Sequence, residues 1–380
     1  MTKRLLFITC HKLDESNGGS NGSKGFIHSF AALFDDCSII YPHIEKTYPF
    51  IPEKYKLYPI TNHRTNVRKL FDMYRGVISP LYYTVRQHLK THQYDVIVID
   101  HSFSGAGVSS FIRSTGAKVI TIHHNVERDY LRANAKERPL FYRFPFLYYS
   151  KKSERACLQN SDINLTVTRH DAHVFQSWYP HLHLYPWGDF EFLPIEDKAF
   201  APKSRDLTFI ITGSLSFIQS LLPIKDFITR YWPLVRQHYP TAQLIISGRN
   251  PSDDLRQMCK ATEGITLVPN PQDINEEVEK ANYYICPINV GSGLKLRIMD
   301  GLRHGLPILC HDVSTSGYEG IKEKGYLFSY HDEPTFVESL HKMIEGNLSP
   351  DSIFQAYKEN FSLNAGINRL HNILNQEGII

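Results

Sequence analysis

The sequence predicts an α/β protein of two doubly wound, Rossmann-like domains, each a parallel sheet with helices on both faces. Three observations carry that prediction. Short apolar runs alternate with amphipathic stretches of helical period. At 380 residues the chain exceeds what one core ordinarily serves. The alternation also breaks once, near the middle, and then resumes.

Taken in order, Arg4 to Cys10 reads as the first strand, and the loop Asn17 to Lys24, rich in Gly, Ser and Asn, leads into a helix from about Gly25 to Phe34. Cys37–Tyr41, Val96–Asp100, Val119–Ile122 and Asn164–Val167 are further strands of the first domain. Leu184 to Arg205, dense in Pro, charge and aromatics, reads as the connection between domains. Leu207–Thr212, Gln243–Ser247, Ile265–Val268, Tyr283–Pro287 and Ile308–Cys310 are the strands of the second. Ser352 to Gln376 has helical period. The expected domains are residues 1–188 and 189–354, with 355–380 returning to the first.

Composition adds bounds. The six cysteines show no metal-type or Cys-x-x-Cys spacing and read as reduced, buried thiols of a cytoplasmic protein. The first sixteen residues read as a core strand with polar residues close behind it rather than a signal peptide, and no window is apolar enough to span a bilayer. A net charge of +3 is balanced, and no nucleic-acid recognition motif accompanies it.

The most informative segment is Ile285 to Gly320. An apolar strand ends at Pro287, Gly291 and Gly293 bracket Ser292, and a basic helix carrying Lys295 and Arg297 follows and stops at Gly305-Leu306-Pro307. Glycines that let backbone approach a ligand, helix N-terminal amides and two cations make an anion site. An ordinary βαβ crossover with a glycine-rich turn is the alternative.

This segment resembles the donor-binding signature of group 1 retaining glycosyltransferases with the GT-B fold, two Rossmann-like domains with a cleft between them. The resemblance implies a nucleotide-sugar donor, a UDP-sugar foremost, with Ser292, Gly293, Leu294 and Lys295 facing its diphosphate, Arg297 adding charge and Asp300 meeting the ribose. The commoner pattern has two glutamates where this chain has Ser292 and Asp300. Gly213 resembles the glycine turn that opens the family's second domain, where Ser214 and Gln219 stand in place of Arg and Lys. Lys295 and Arg297 are then expected to supply the missing charge. Asn270, in a loop after a strand, is implied as a nucleobase contact through the backbone. Gly18 and Gly19 match the family's N-terminal glycine loop, which implies that Gly19 lies near the donor phosphates, and Asn21, Ser23 and Lys24 would lie on the acceptor side; a plain turn would use the same residues.

Thr121-Ile-His-His-Asn-Val-Glu127 puts two histidines, an amide and a carboxylate at the end of a buried strand, where a doubly wound fold places its site. Adjacent histidines diverge on a strand end, which argues against a metal. A structural role, with one histidine on backbone and Glu127 in an ion pair, is open. Resemblance to the family's His-Asn-x-Glu implies that His124 approaches the donor sugar and that Glu127 positions the acceptor or the histidine. Catalysis would then need no metal and no cofactor beyond the nucleotide-sugar substrate.

Arg64 to His92 alternates basic with apolar residues, as Leu140 to Lys152 does, and such faces suit an anionic membrane or simply pack on their own sheet. The whole reading is a cytoplasmic, peripheral enzyme that glycosylates a glycan or lipid-linked acceptor in surface or capsular polysaccharide biosynthesis. A non-catalytic GT-B subunit of a transferase complex, and a nucleotide-sugar epimerase, are the alternatives.

Overall fold

The computed structural model describes residues 3–15, 17–60, 65–74, 77–78, 80–105, 107–128, 140–200, 207–291 and 293–380. Two compact units form, Met1–Ile195 with Phe361–Ile380, and Glu196–Asn360.

The first unit is built on β1 (Arg4–Thr9), β2 (Asp36–Pro42), β3 (Tyr55–Ile60), β4 (Val96–Asp100), β5 (Lys118–His123), β6 (Ile163–Thr166) and β7 (Leu184–Pro186). Their spatial order is β3-β2-β1-β4-β5-β6-β7, all parallel. Leu6, Ile8, Ile97, Ile99 and Val119 pack with Leu81, Val85 and Ile112 in a dry core. Leu81 and Val85 fall within the basic-aromatic stretch Arg64–His92, so part of that face is core; Arg64 itself lies outside the described residues.

The glycine-rich stretch after β1 differs from expectation. It is not a loop: the helix runs Gly18–Leu33, capped by the Asn17 side chain, which accepts from the Ser20 N–H. Glycine is a poor helix former, and tertiary packing overrides that preference here. Gly19, Gly22 and Gly25 share one helix face, where an added Cβ would stand 2.2 Å from His11 Cε1, 2.9 Å from Asp189 Oδ2 and 2.4 Å from the Phe190 carbonyl. The glycines let the helix lie against three groups no larger residue would clear.

Leu184–Pro186, read from sequence as the start of the connection, pairs with β6 as edge strand β7. It and β3 escaped the sequence reading because edge strands are short, half exposed and interrupted by Pro59 and Pro186. The stretch Ser352–Gln376, read as one helical segment, is two helices, Pro350–Phe361 and Leu363–Gln376, divided where the Ser362 side chain accepts from the Ala365 N–H and starts a new helix. The second of these packs on the helix Gly18–Leu33, and Trp187, in tilted and edge-to-face contact with Phe26, Phe30 and Phe190, donates its indole N–H to the Gly366 carbonyl at 2.9 Å.

The second unit carries β8 (Thr208–Ser214), β9 (Gln243–Arg249), β10 (Ile265–Pro269), β11 (Tyr283–Cys286), β12 (Ile308–His311) and β13 (Leu327–Tyr330), in the parallel order β10-β9-β8-β11-β12-β13. Phe209, Ile211, Leu244, Ile246, Ile285 and Leu309 face Phe227, Trp232 and Phe336 in its core. In both units the strand order reverses beside the first strand, between β1 and β4 and between β8 and β11. Ligands of doubly wound sheets bind at the carboxyl ends of strands at such a reversal.

Candidate functional site

The first unit's switch point is crowded with titratable groups. β4 ends at Asp100, which has no solvent exposure. Its Oδ1 lies 2.6 Å from His124 Nε2, and its Oδ2 accepts from the hydroxyls of Thr9 at 2.7 Å and Ser23 at 2.6 Å. Burial pushes this carboxyl up, but the charge and hydrogen bond of His124, with His11 and Ser23, outweigh it and hold Asp100 well below the ordinary carboxylate range.

His101 follows in a left-handed backbone conformation, φ 72°. Its Nε2 pairs with Glu127 at 2.8 Å and its Nδ1 accepts from the Phe103 N–H at 3.2 Å. Burial alone would lower His101; the charge of Glu127 outweighs it and raises the imidazole. Glu127 therefore positions a histidine, but that histidine is His101 and not His124. Glu154 accepts from the Glu127 N–H at 2.6 Å and is itself pushed up to about 8 by burial and by the Glu127 charge.

His11, just past β1, stacks on His124 with ring centroids 5.1 Å apart and planes 9° from parallel. Burial, then the neighbouring His124 and His101, lowers it to about 3, so it is neutral. His123 and His124 do diverge: His123 turns into the core against Phe175 and bonds Asn164 at 3.0 Å. Asp189, past β7, is only 7 % exposed and accepts from the Phe190 N–H. Burial, opposed by that hydrogen bond and reinforced by the charges of Glu191 and Asp100, pushes it up to about 7.

Asn21 and Lys24 lie together on the first helix, with Lys24 Nζ 3.0 Å from Asn21 Oδ1, 3.2 Å from the Glu15 carbonyl and 4.7 Å from the Phe50 ring centroid. Gly19 gives His11 its place. Cys10, His11 and His101 bring three ligand-type atoms within 4.8 Å of one another. They fit a metal poorly as they stand. Both nitrogens of His101 are in use, and burial pushes the Cys10 thiol up to about 12.

In the second unit, Gly213 is the penultimate residue of β8, with φ 138°, and a Cβ there would lie 2.9 Å from the Arg297 guanidinium carbon. Arg297 donates to the Thr212 carbonyl at 3.2 Å and to Ser220 Oγ at 2.8 Å. Its charge thus sits under the glycine turn beside Ser214, the place where the resemblance expected an arginine. Lys295 Nζ reaches the carbonyls of Gly291 and Gly293 at 3.3 and 3.2 Å, and Tyr318 pins the Lys295 carbonyl at 3.0 Å.

The helix after this loop does not follow the glycine pair at once. It runs Arg297–Arg303, with Lys295 in the turn before it, because Ile298 and Met299 already bond back to the Lys295 and Leu296 carbonyls in a tight first turn. Gly293 is buried, Leu294 half-buried, and Asp300 sits one turn beyond Arg297 on the same helix face. Ser292 lies outside the described residues. Asn270 takes a left-handed conformation, φ 50°, and its side chain accepts from the Asn250 N–H while its own N–H bonds the Gly248 carbonyl, tying the ends of β9 and β10 together.

Asp100, His101, His11 and Asp189 were not singled out from sequence. For the first three the signal was present: each stands at or one to two residues past the end of an apolar strand, as His124 does.

Residues 207–346 match the family described as Glycosyl transferases group 1. No curated protein matches the chain. Among solved structures, TarM is similar over 99 % of both chains at 9 % identity and a TM-score of 0.68. The lipopolysaccharide outer core galactosyltransferase WaaB is similar over 98 % of this chain and 99 % of its own, at 13 % identity and 0.69. Anabaena HepE in complex with UDP and glucose is similar over 98 % and 99 %, at 11 % and 0.64. The two parallel-sheet α/β units thus have the GT-B fold, and the match to the group 1 glycosyl transferases falls within the second of them.

Proposed function

We propose that the protein is a retaining, metal-independent glycosyltransferase that moves a sugar from a nucleotide-sugar, a UDP-sugar foremost, to a glycan or lipid-linked acceptor. The observation that carries this reading is Arg297. Its guanidinium lies against Thr212 and Gly213 at the carboxyl end of β8 and against Ser220, which puts cationic charge where Ser214 and Gln219 supply none.

In this reading the diphosphate rests on the loop at Gly293 and Leu294 with Lys295 and Arg297 beside it, and Asp300 receives the ribose. Charge grows on the departing nucleoside diphosphate as the sugar–phosphate bond breaks, and two fixed cations stabilise it more in that state than in the ground state. The acceptor hydroxyl attacks the anomeric carbon from the same face and passes its proton to the leaving phosphate oxygen. His124 holds the sugar, and Asn21 and Lys24 serve the acceptor. The HepE and GtfA structures, which hold UDP, support the choice of base.

The acceptor reading, a lipid-linked intermediate of surface or capsular polysaccharide synthesis at a cytoplasmic membrane face, rests on one surface of the first unit. The helices Asn66–Tyr74 and Leu140–Asn160 pack together and expose Val67 (81 %), Phe71 (62 %), Phe144 (83 %) and Tyr148 (57 %) beside Arg68, Lys69, Lys151 and Lys152. Apolar burial and basic attraction then act together on an anionic bilayer. Among the described residues no helix is long and apolar enough to cross a membrane.

Calorimetry with a panel of nucleoside diphosphates and their sugars, metal chelated throughout, tests the donor site. Binding of one nucleotide, followed by transfer to an acceptor, is expected. Binding without transfer to any acceptor favours the non-catalytic subunit, and no binding removes the donor-site reading.

A further inference from the structure

Phe50 follows β2 and Phe192 follows β7, strands near opposite edges of the first sheet, yet their ring centroids lie 6.2 Å apart with the planes tilted by 54°. They meet because the chain leaving β7 returns to the helix Gly18–Leu33, where Gly22 admits Asp189 and Gly25 admits the Phe190 carbonyl. The Lys24 ammonium, on that helix, lies against both rings, 4.7 Å from the Phe50 centroid and 5.4 Å from that of Phe192. Both rings are half-buried and keep part of their surface in solvent.

Hydrogen bonds hold both segments. His28 Nε2 donates to the Pro49 carbonyl at 2.8 Å and the Ile51 N–H bonds the Thr47 carbonyl at 2.9 Å, so Phe50 is fixed from either side. Beside Phe192, the Glu191 N–H bonds the Phe361 carbonyl at 2.9 Å, and the His28 ring lies 5.8 Å from the Phe192 ring. An ammonium only donates, so the 3.0 Å bond from Lys24 Nζ decides which end of the Asn21 amide faces it: Oδ1 accepts, and the two N–H bonds of Nδ2 turn away. Among the described residues no acceptor takes them, and Asn21 is half-buried. Lys24 itself is 4 % exposed and also donates to the Glu15 carbonyl at 3.2 Å, so it orients its neighbours more than it meets a ligand.

A pyranose has an apolar face of C–H groups and a rim of oxygens. The negative face of an aromatic ring suits the first, and fixed amide donors suit the second. A lipid chain would cover the amide donors without bonding them, and an anion would find the nearest ammonium already covered. We propose that Phe50, Phe192 and the Asn21 amide form a subsite for a neutral sugar ring of the acceptor, with Lys24 as the positioning residue that sets the amide and braces both rings. That this sugar is an acceptor rests on the transfer reading above; that a sugar binds here does not.

The probes are the methyl α- and β-glycosides of glucose, galactose, mannose and N-acetylglucosamine, titrated against the full chain by saturation-transfer difference NMR, with UDP binding measured by calorimetry on the same samples. At least one glycoside is expected to bind wild type, its ring C–H protons saturating most strongly. Asn21→Asp keeps an oxygen for Lys24 and removes both donors, so that binding is expected to fall about three- to tenfold with the melting temperature not lowered. Phe192→Leu keeps apolar bulk without a ring face and is expected to weaken binding as well, whereas Phe192→Tyr stays near wild type. A merely structural role for Asn21 is satisfied by aspartate and predicts no change. Binding that is unchanged in either Asn21→Asp or Phe192→Leu overturns the proposal, as does the failure of every glycoside to bind. If Phe192→Leu does not fold, Asn21→Asp decides alone. Glycoside binding with these losses but no UDP binding keeps the subsite and removes the donor reading; UDP binding without any glycoside removes the subsite alone.

Discussion

Asp189→Asn isolates one buried carboxyl. The side chain is 7 % exposed, one oxygen accepts from the Phe190 N–H, and burial raises it from the ordinary 3.8 to about 7. Between those two values the native state keeps a proton that the unfolded chain has released. Native stability therefore falls as pH rises through that window, is unaffected by this group below about 4, and carries the full penalty above about 7. At about 1.36 kcal/mol per pH unit the full penalty is about 4 kcal/mol. Between pH 5 and pH 8 the part that changes is about 2.5 kcal/mol.

Asparagine keeps the oxygen for Phe190 and does not titrate. Urea unfolding of both proteins at pH 5 and pH 8, followed by tryptophan fluorescence, compares them under identical conditions, so every other titrating group cancels. The variant's stability relative to wild type is expected to rise by about 2.5 kcal/mol from the lower to the higher pH. A difference that is the same at both values, or that drifts the other way, refutes the account of Asp189 as a carboxyl kept protonated by burial.

Lys295→Ala is expected to weaken nucleotide-sugar binding by about 1.5 to 3 kcal/mol through the lost charge-assisted phosphate contact; calorimetry checks it, and unchanged affinity removes the phosphate from that loop. His124→Ala is expected to leave nucleoside diphosphate binding intact and to lower turnover, and loss of binding or folding instead makes the histidine structural. Gly19→Ala puts a methyl 2.2 Å from His11 Cε1, so His11 must move; a loss of about 1 to 3 kcal/mol in thermal unfolding is expected, together with altered His124 ring signals. Ser362→Ala removes the cap of the C-terminal helix and is expected to cost about 1 kcal/mol, read as a lower melting temperature with nucleotide binding unchanged.

Periodicity is written along the chain, and with it come the two parallel-sheet units. Val96–Asp100 and Lys118–His123 announce themselves because strands covered on both faces are apolar throughout. Gly291, Gly293, Lys295 and Arg297 lie within one short stretch of chain, so the anion site proposed there could be suggested without a third dimension. Edge strands β3, β7 and β13 were not, since a half-exposed strand needs no apolar run.

How the histidines divide their work is set in three dimensions only. Asp100, His101, His11 and His124 come from the ends of three strands that are distant in sequence and adjacent in space. Which nitrogen each spends on which partner depends on distances of about a hydrogen bond, and no local pattern encodes them. The same holds for the helix Gly18–Leu33. Its glycines read as a loop by propensity, and they are helical because His11, Asp189 and Phe190 press against that face, contacts that exist only once the sheet has formed. Local sequence sets what each segment prefers; burial against remote groups sets which preference is overruled.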